Sequence, residues 1–507
     1  MALITAPLIV YCGIALAVTT FVTVVCYAIY THREHKRYSH VPSPKRQSFF
    51  LGHIPTLKKY DDSGRTLMDL FRDWHAECGP ILIIFLMHRP IVFSAHPDVA
   101  KEVMVTGNHT KPPKAYRSFQ FLFGSRYMGY GLISEIDHSQ WTRKRNALNP
   151  AFNRKFLMEF MSQFNESCDV LLDFMSNKTD QTTQFKMLDL FERLTMDIIA
   201  KVAFDIDLGA VCDANQPLSK AISSTFNAVA HLIRNPHDQI NPFAASFRKQ
   251  VRAACELLRN TGNKCVEERI QAINSGSTPR QDILTYIIKS TNEDDDIQVQ
   301  IEEMVDQFVT IFIAGMETTA NQLSFALIEI CKHPEVLARI RKEVDCILQS
   351  KNHVTFEDLN SLQYLGQVLK ETLRLYPPVF AATRILSNDV TYLGYHLPAG
   401  TEVTVNTFQM CRMEEYYENA LQFDPDRFAP DRERPMFTYF PFSLGPRVCI
   451  GQHLSQMEAK VVMAKLLYEF DFKLVPGQSF ELLERATLKP KDGVMVTIRP
   501  RDRVAAC

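Results

Sequence analysis

The chain has 507 residues, 46% of them hydrophobic and 22% charged, so it can bury a large core and is neither disordered nor low in complexity. The 56 Lys and Arg nearly balance 57 Asp and Glu, and the net charge of -1 excludes nucleic-acid or polyanion binding driven by bulk charge. Twelve Cys with no CxxC pair exclude a disulfide scaffold and fit reduced thiols, while the length alone suggests roughly three domains at about 150 residues each.

From Ala2 to Thr31 there is no Asp, Glu, Lys or Arg. As a helix this run would reach about 45 Å, against a hydrocarbon core of about 30 Å, so Leu8 to Tyr30 is expected to span a membrane. A cleaved signal peptide would carry a shorter apolar region with positive charge before it. Here Arg33, Lys36, Arg37, Lys45 and Arg46 come after, which by the positive-inside rule predicts a single-pass anchor with the body in the cytosol. A buried core helix is the alternative. The expected organisation is an anchor at 1–32, a basic connector at 33–46 stiffened by Val41-Pro42-Ser43-Pro44, and one folded body at 47–507. His32 and His35 read as residues of a solvated loop.

In the body, Ile81–Phe85 and Ile91–Phe93 predict a strand pair around a His-Arg-Pro turn, followed by a helix from Pro97 to Val105. Apolar residues at three- and four-residue spacing predict helices near 154–176, 186–204, 217–233 and 246–273. A longer one runs from Ile297 to Lys332, stopped by Pro334. Strand signals return at Val390–Val405 and Val494–Ile498, so the class is mainly α with small peripheral β-sheets (α+β). Gly124, Gly129 and Gly131 fit neither GxGxxG nor a phosphate loop.

The stretch Phe442-Ser443-Leu444-Gly445-Pro446-Arg447-Val448-Cys449-Ile450-Gly451 places one Cys just before a helix that begins near Gln452. A helix start and loop N–H groups favour a thiolate, so a lowered Cys449 pKa and metal-binding sulfur are expected. Gly445 permits a tight turn, Gly451 lets the backbone approach something large and flat, and Arg447 can pair with an anionic substituent of it. These residues match FxxGxRxCxG in full, and the chain resembles the cytochrome P-450 family of haem-thiolate monooxygenases over residues 45–500. The resemblance implies a single large cytochrome P-450 fold behind the N-terminal transmembrane helix, haem b as cofactor, and Cys449 as axial ligand of the iron. The push of such a thiolate toward O–O cleavage is a general property of this family.

Further motifs fall in the family's order. Ala314-Gly315-Met316-Glu317-Thr318-Thr319 resembles AGx(D/E)TT: Ala314 and Thr318 share a helix face, Gly315 leaves room for a flat cofactor, and Thr318 with Glu317 inherits roles in dioxygen protonation. Glu371 and Arg374 resemble ExxR, with Arg427 as third partner and Asp426 where the family more often has Glu. Such a triad would fix the architecture beneath the haem. Trp141 and Arg145 match WxxxR, and with Arg384 they are expected to hold the haem propionates through charge-assisted hydrogen bonds.

Within the family the chain is similar to the cholesterol 24-hydroxylase branch, through stretches such as Phe437–Gly445, Gln456–Glu458, Val461–Leu467, Leu474–Gln478 and Ala486–Pro490. That likeness implies an apolar pocket at Met128, Ile133, Ala314, Val379 and Thr487, with Met128 and Val379 departing from the branch's residues. The implied activity is hydroxylation of a sterol C–H bond, on the cholesterol side chain, using O2. With no nucleotide motif of its own, the chain would draw NADPH electrons from a separate membrane-bound cytochrome P-450 reductase, on the cytosolic face of the endoplasmic reticulum. Other substrates, a fatty acid or a xenobiotic, and a non-enzymatic role as a tethered haem sensor or carrier are the alternatives.

Overall fold

The computed structural model describes residues 2–179, 182–278, 280–291, 296–348 and 351–502. Their contacts gather into two compact units, one of residues 1–109 with 381–409 and the other of residues 110–380 with 410–507. Helices dominate and the sheets are small, as the periodicity predicts.

The first unit begins with the helix Ala2–Arg37, whose side chains are exposed from Tyr11 to Cys26. By length and composition it can cross a membrane. The helix runs on through His32 and His35, which corrects the expected loop. The cause is packing: the His35 ring is buried against Phe49 and Phe85, at centroid distances of 5.7 and 4.5 Å. Its four-stranded sheet has the order Ile81–Leu86, Arg89–Ser94, Glu402–Asn406, Ala381–Ile385, with an antiparallel, a parallel and an antiparallel pairing. The turn is Met87-His88, with Met87 at φ 59°. Arg89 and Pro90 already belong to the second strand, where Arg89 is held by Glu402 at 2.6 Å. The expected helix at Pro97 ends at Lys101 and continues as a π-helical turn to Thr106. There Ser387 N–H donates to His109 Nδ1 (3.1 Å), which leaves Nε2 as the donor to Glu102 (3.3 Å), and Tyr392 Oη donates to the same carboxylate. These bonds stitch the two chain segments of this unit.

The second unit is built around the helix Ile297–Lys332. The expected helix at 154–176 is broken by a 3-10 turn at Met158–Phe160, while Met187–Phe204, Pro217–Arg234 and Ala245–Asn274 form close to their predicted limits. Every residue of the long helix from Met304 to Ile330 is buried except Ala314, Gly315 and Thr318. A loop is clamped across its first turns. Asp306 has no exposed side-chain surface, yet it accepts from Arg126 (3.0 and 2.7 Å), Arg259 (2.8 Å) and the Tyr130 N–H (2.7 Å). Leu132 N–H donates to Gln307 Oε1 at 3.0 Å. The glycines that fit no nucleotide motif find their reason here: a Cβ on Gly129 would sit 2.2 Å from the Asp306 carboxylate, and one on Gly131 would sit 1.9 Å from Thr310 Oγ1.

Gly131→Ala is therefore expected to destabilise the protein by about 1–3 kcal/mol through overpacking, read as a lower thermal unfolding midpoint. A loss below about 0.5 kcal/mol, the range of an ordinary surface change, would contradict the close approach.

Candidate functional site

The Cys449 loop is shaped by backbone geometry. Ser443 and Gly445 take φ of 68° and 67°, reversing the chain, and Cys449 N–H then donates to Phe442 O at 2.8 Å. Only Gly adopts such a φ without cost, which is the service of Gly445. The helix begins at Gln452, where the sequence places it, and runs to Glu469 with Gly451 as its N-cap. A Cβ placed on Gly451 would meet Cys449 Sγ at 3.9 Å and no other non-neighbouring atom within 4 Å, so the sulfur borders open space. Cys449 is accessible, yet burial pushes its thiol pKa up, against the opposing pull of the Gly451 N–H and the Arg145 charge. The expected lowering of its pKa is thus corrected: desolvation outweighs the helix start.

The long helix offers the second half. Ala314, Gly315 and Thr318 are its three accessible positions in an otherwise buried run, a gap of the kind a flat group fills. Thr318 Oγ1 donates back to Ala314 O at 2.9 Å. Gly315 also serves packing, since a Cβ there would lie 2.8 Å from Ile199 in the helix Met187–Phe204. The neighbouring Thr319 donates to Ser455 Oγ at 3.2 Å and ties this helix to the one that follows Cys449.

Glu317 is turned away from the Thr318 hydroxyl. Its carboxylate accepts from Thr487 Oγ1 at 2.6 Å and lies 3.9 Å from Lys489 Nζ. Burial raises its pKa, against Lys489 and the Thr487 hydrogen bond. Thr487, expected in the substrate pocket, is buried and spends its hydroxyl on Glu317 and Asn321 (3.1 Å). Of the other expected pocket residues, Met128 is buried, Ile133 and Ala314 are partly exposed, and Val379 is half exposed.

Trp141 is buried, with the Arg447 guanidinium 4.2 Å from its ring centroid. Arg447 Nη1 donates to Glu135 O (2.8 Å), and Arg145 Nη1 donates to Val448 O (2.7 Å), so both arginines brace the Cys449 loop. Arg384 belongs to the other compact unit, where it lies buried in the strand Ala381–Ile385 and donates to Thr383 O at 3.0 Å.

The ion network is as compact as its spelling suggests. Neither Glu371 nor Arg374 has exposed side-chain surface, and they pair through two bonds of 2.7 and 2.8 Å. Arg374 also donates to the carbonyls of Cys411 (2.5 Å), Ala420 (2.6 Å) and Gln422 (3.1 Å), which uses all its N–H groups. Glu371 also accepts from Asp424 N–H (2.8 Å) and has Arg427 Nε at 3.5 Å. Asp426 stands apart, in an exposed pair with Arg339 at 2.7 and 2.8 Å.

Comparison with known proteins decides what this arrangement belongs to: the family model "Cytochrome P450" matches residues 42–498. The chain is a member of the cytochrome P450 family. It is similar to cytochrome P450 4d2 of Drosophila melanogaster (27% identity; 91% of this chain, 94% of the relative) and cytochrome P450 3A9 of Rattus norvegicus (26%; 96% of each). It is also similar to the 11-oxo-beta-amyrin 30-oxidase of Glycyrrhiza uralensis (28%; 74% of this chain, 73% of the relative). Membership makes this P450 a monooxygenase that uses a haem-thiolate cofactor, O2 and electrons from a redox partner. Sequence reasoning missed Lys489 and Glu192, which flank Glu317. No motif marks them, because they reach the site from a hairpin and from a helix remote in sequence.

Arg374→Ala is expected to cost about 3–5 kcal/mol, because it strands the Glu371 charge in the interior. Urea unfolding of the variant that matched the parent would show the pair to be dispensable.

Proposed function

We propose that this P450 is a membrane-anchored sterol hydroxylase in which Cys449 is the axial thiolate. The observation that carries the reading is the exposed Cys449, in the loop before a helix that is tied through Ser455 to the helix whose accessible positions are Ala314, Gly315 and Thr318. The bound haem supplies the activation of O2. The protein's residues do the rest. Phe442, Gly445 and Gly451 shape the loop that presents the sulfur. Trp141, Arg145 and Arg447 carry N–H groups that would serve the propionates. The Thr318 hydroxyl is a proton donor at the gap, with Glu317 behind it as the acid that renews its proton.

The sterol substrate is supported by the likeness at Phe437–Gly445 and Ala486–Pro490, and by the apolar side chains Met128, Ile133, Ala314 and Val379. The apolar helix Ala2–Arg37, exposed from Tyr11 to Cys26, suits an enzyme whose substrate dissolves in the bilayer. The basic residues after that helix favour a body on the cytosolic face of the endoplasmic reticulum, reduced there by a NADPH-cytochrome P-450 reductase. A second reading has an observation of its own. A cavity of about 620 Å³ lined by Phe121, Phe123 and Leu232 also carries Lys114 and Arg117, cations that would suit the carboxylate of a fatty acid.

With reductase and a panel of sterols and fatty acids, mass spectrometry is expected to find a hydroxysterol; hydroxylation of fatty acids alone would replace the sterol reading. The reduced, carbon-monoxide-treated protein is expected to show the red-shifted Soret band of thiolate haem, and Cys449→Ala to lose it. Thr318→Ala should keep that band while consuming NADPH without matching product, by about 100-fold in product per turnover. A sensor or carrier would tolerate the change.

A further inference from the structure

Hydroxylation by O2 consumes two protons for each oxygen inserted, since one oxygen atom leaves as water. The acid nearest the gap, Glu317, is almost wholly buried and cannot take protons from solvent itself. A second carboxylate stands beside it. Glu192, on the helix Met187–Phe204, lies 3.8 Å from Lys489 Nζ, and the same ammonium lies 3.9 Å from Glu317. One lysine is thus shared by two carboxylates on different helices.

The arrangement is held from three sides. One turn beyond Glu192, Thr195 Oγ1 donates to Met316 O at 2.9 Å and fixes the two helices at the level of Glu317. Lys489 belongs to the strand Leu488–Pro490, paired with Leu482–Glu484. Thr487, next to Lys489, holds Glu317 at 2.6 Å and accepts from Asn321, whose buried Oδ1 has no partner among the described residues. Outward from Glu192 the surface is reached at once: Asp189, one turn earlier on its helix, pairs with Lys186 at 3.0 Å, both about half exposed. The groups acting on Glu192 are therefore Lys489, Glu317, Asp189 and Lys186.

We propose that Glu192 and Lys489 are positioning and proton-relay residues that recharge Glu317 from solvent. For each of the two protons Lys489 gives one to the Glu317 carboxylate and recovers one from the Glu192 carboxyl, which then takes up a proton from bulk solvent. The ammonium is restored, the two carboxylates exchange protonation, and no electrons move. The separations of 3.8 and 3.9 Å leave each transfer to a small side-chain shift or one bridging water, for which the free Asn321 Oδ1 is an acceptor. Burial, and then the Glu317 charge, push the Glu192 pKa up to about 7 against the pull of Lys489, so this group can both hold and release a proton near neutrality.

The inference rests on the monooxygenase reading, and its test separates the two. Infrared difference spectra of the full-length protein, taken across neutral pH without turnover, should contain a protonated-carboxyl band that titrates near neutrality. Glu192→Gln should abolish it, and Asp189→Asn should leave it. With reductase, Glu192→Gln should raise the peroxide released per NADPH about tenfold, and Glu192→Asp should restore part of the coupling. Persistence of the band in Glu192→Gln, or unchanged coupling in that variant, would overturn the relay while hydroxylation by the parent stood. A parent that consumed NADPH but formed no hydroxysterol would instead overturn the proposed substrate, and the infrared band with the peroxide released per NADPH would still decide the relay.

Discussion

A helix that crosses the interior of a folded unit needs partners for its buried charged and polar side chains, and in this P450 the helix Ile297–Lys332 imposes that demand on much of the chain. Asp306 draws in Arg126, Arg259 and the Tyr130 N–H. Gln307 takes Leu132, and Glu329 takes the Tyr376 hydroxyl at 2.8 Å. Glu317 takes Thr487, and Thr319 reaches Ser455. Each partner comes from a segment remote in sequence, so the helix sets the positions of the loop at 126–135, the hairpin at 482–490 and the helix after Cys449. The three accessible positions are exceptions to a rule that holds on every other turn between Met304 and Ile330, which is why they mark a site.

The same demand separates Thr318 from Glu317. Consecutive residues on a helix point about 100° apart, so one can face the gap only if the other faces a neighbour. Thr318 takes the gap and satisfies its hydroxyl on its own helix, while Glu317 is committed to the hairpin. An acid held in this way is protected from the substrate side and open to a supply of protons from behind. Lys489 and Glu192 occupy that rear position, and the half-exposed pair of Lys186 with Asp189 lies one turn before Glu192 on its helix.

What could be read in the sequence follows the range of the interactions. Helix periodicity placed the long helix within its observed limits, and the local spellings around Cys449 and at Glu371 with Arg374 gave a turn and an ion pair found at 2.7 Å. Failures came where tertiary contact overrides a local signal. His35 sits in a basic segment that reads as loop, but two phenylalanine rings bury it in a continued helix. Asp426 lies one residue from Arg427, yet its carboxylate pairs with Arg339 on the surface while Arg427 turns toward Glu371. Glu192 could not have been picked from its amphipathic helix, because its character comes from Lys489, about 300 positions away in a segment whose own signal is only that of a short strand.

Cysteine chemistry shows the same division between local and tertiary causes. A Cys before a helix start reads as an activated thiol. Burial instead raises the pKa of Cys449, as it does for Cys168, Cys255 and Cys331, each pushed up to about 12. Acidity therefore does not distinguish Cys449 from sulfurs that only fill the core. Access does: Cys168 and Cys255 are buried against their neighbours, whereas Cys449 is exposed beside Gly451. A thiol so placed gains little from ionising alone, since neither the Gly451 N–H nor the Arg145 charge outweighs desolvation. A metal ion that takes the place of the proton removes that cost, since a coordinated thiol is deprotonated by the metal's own charge.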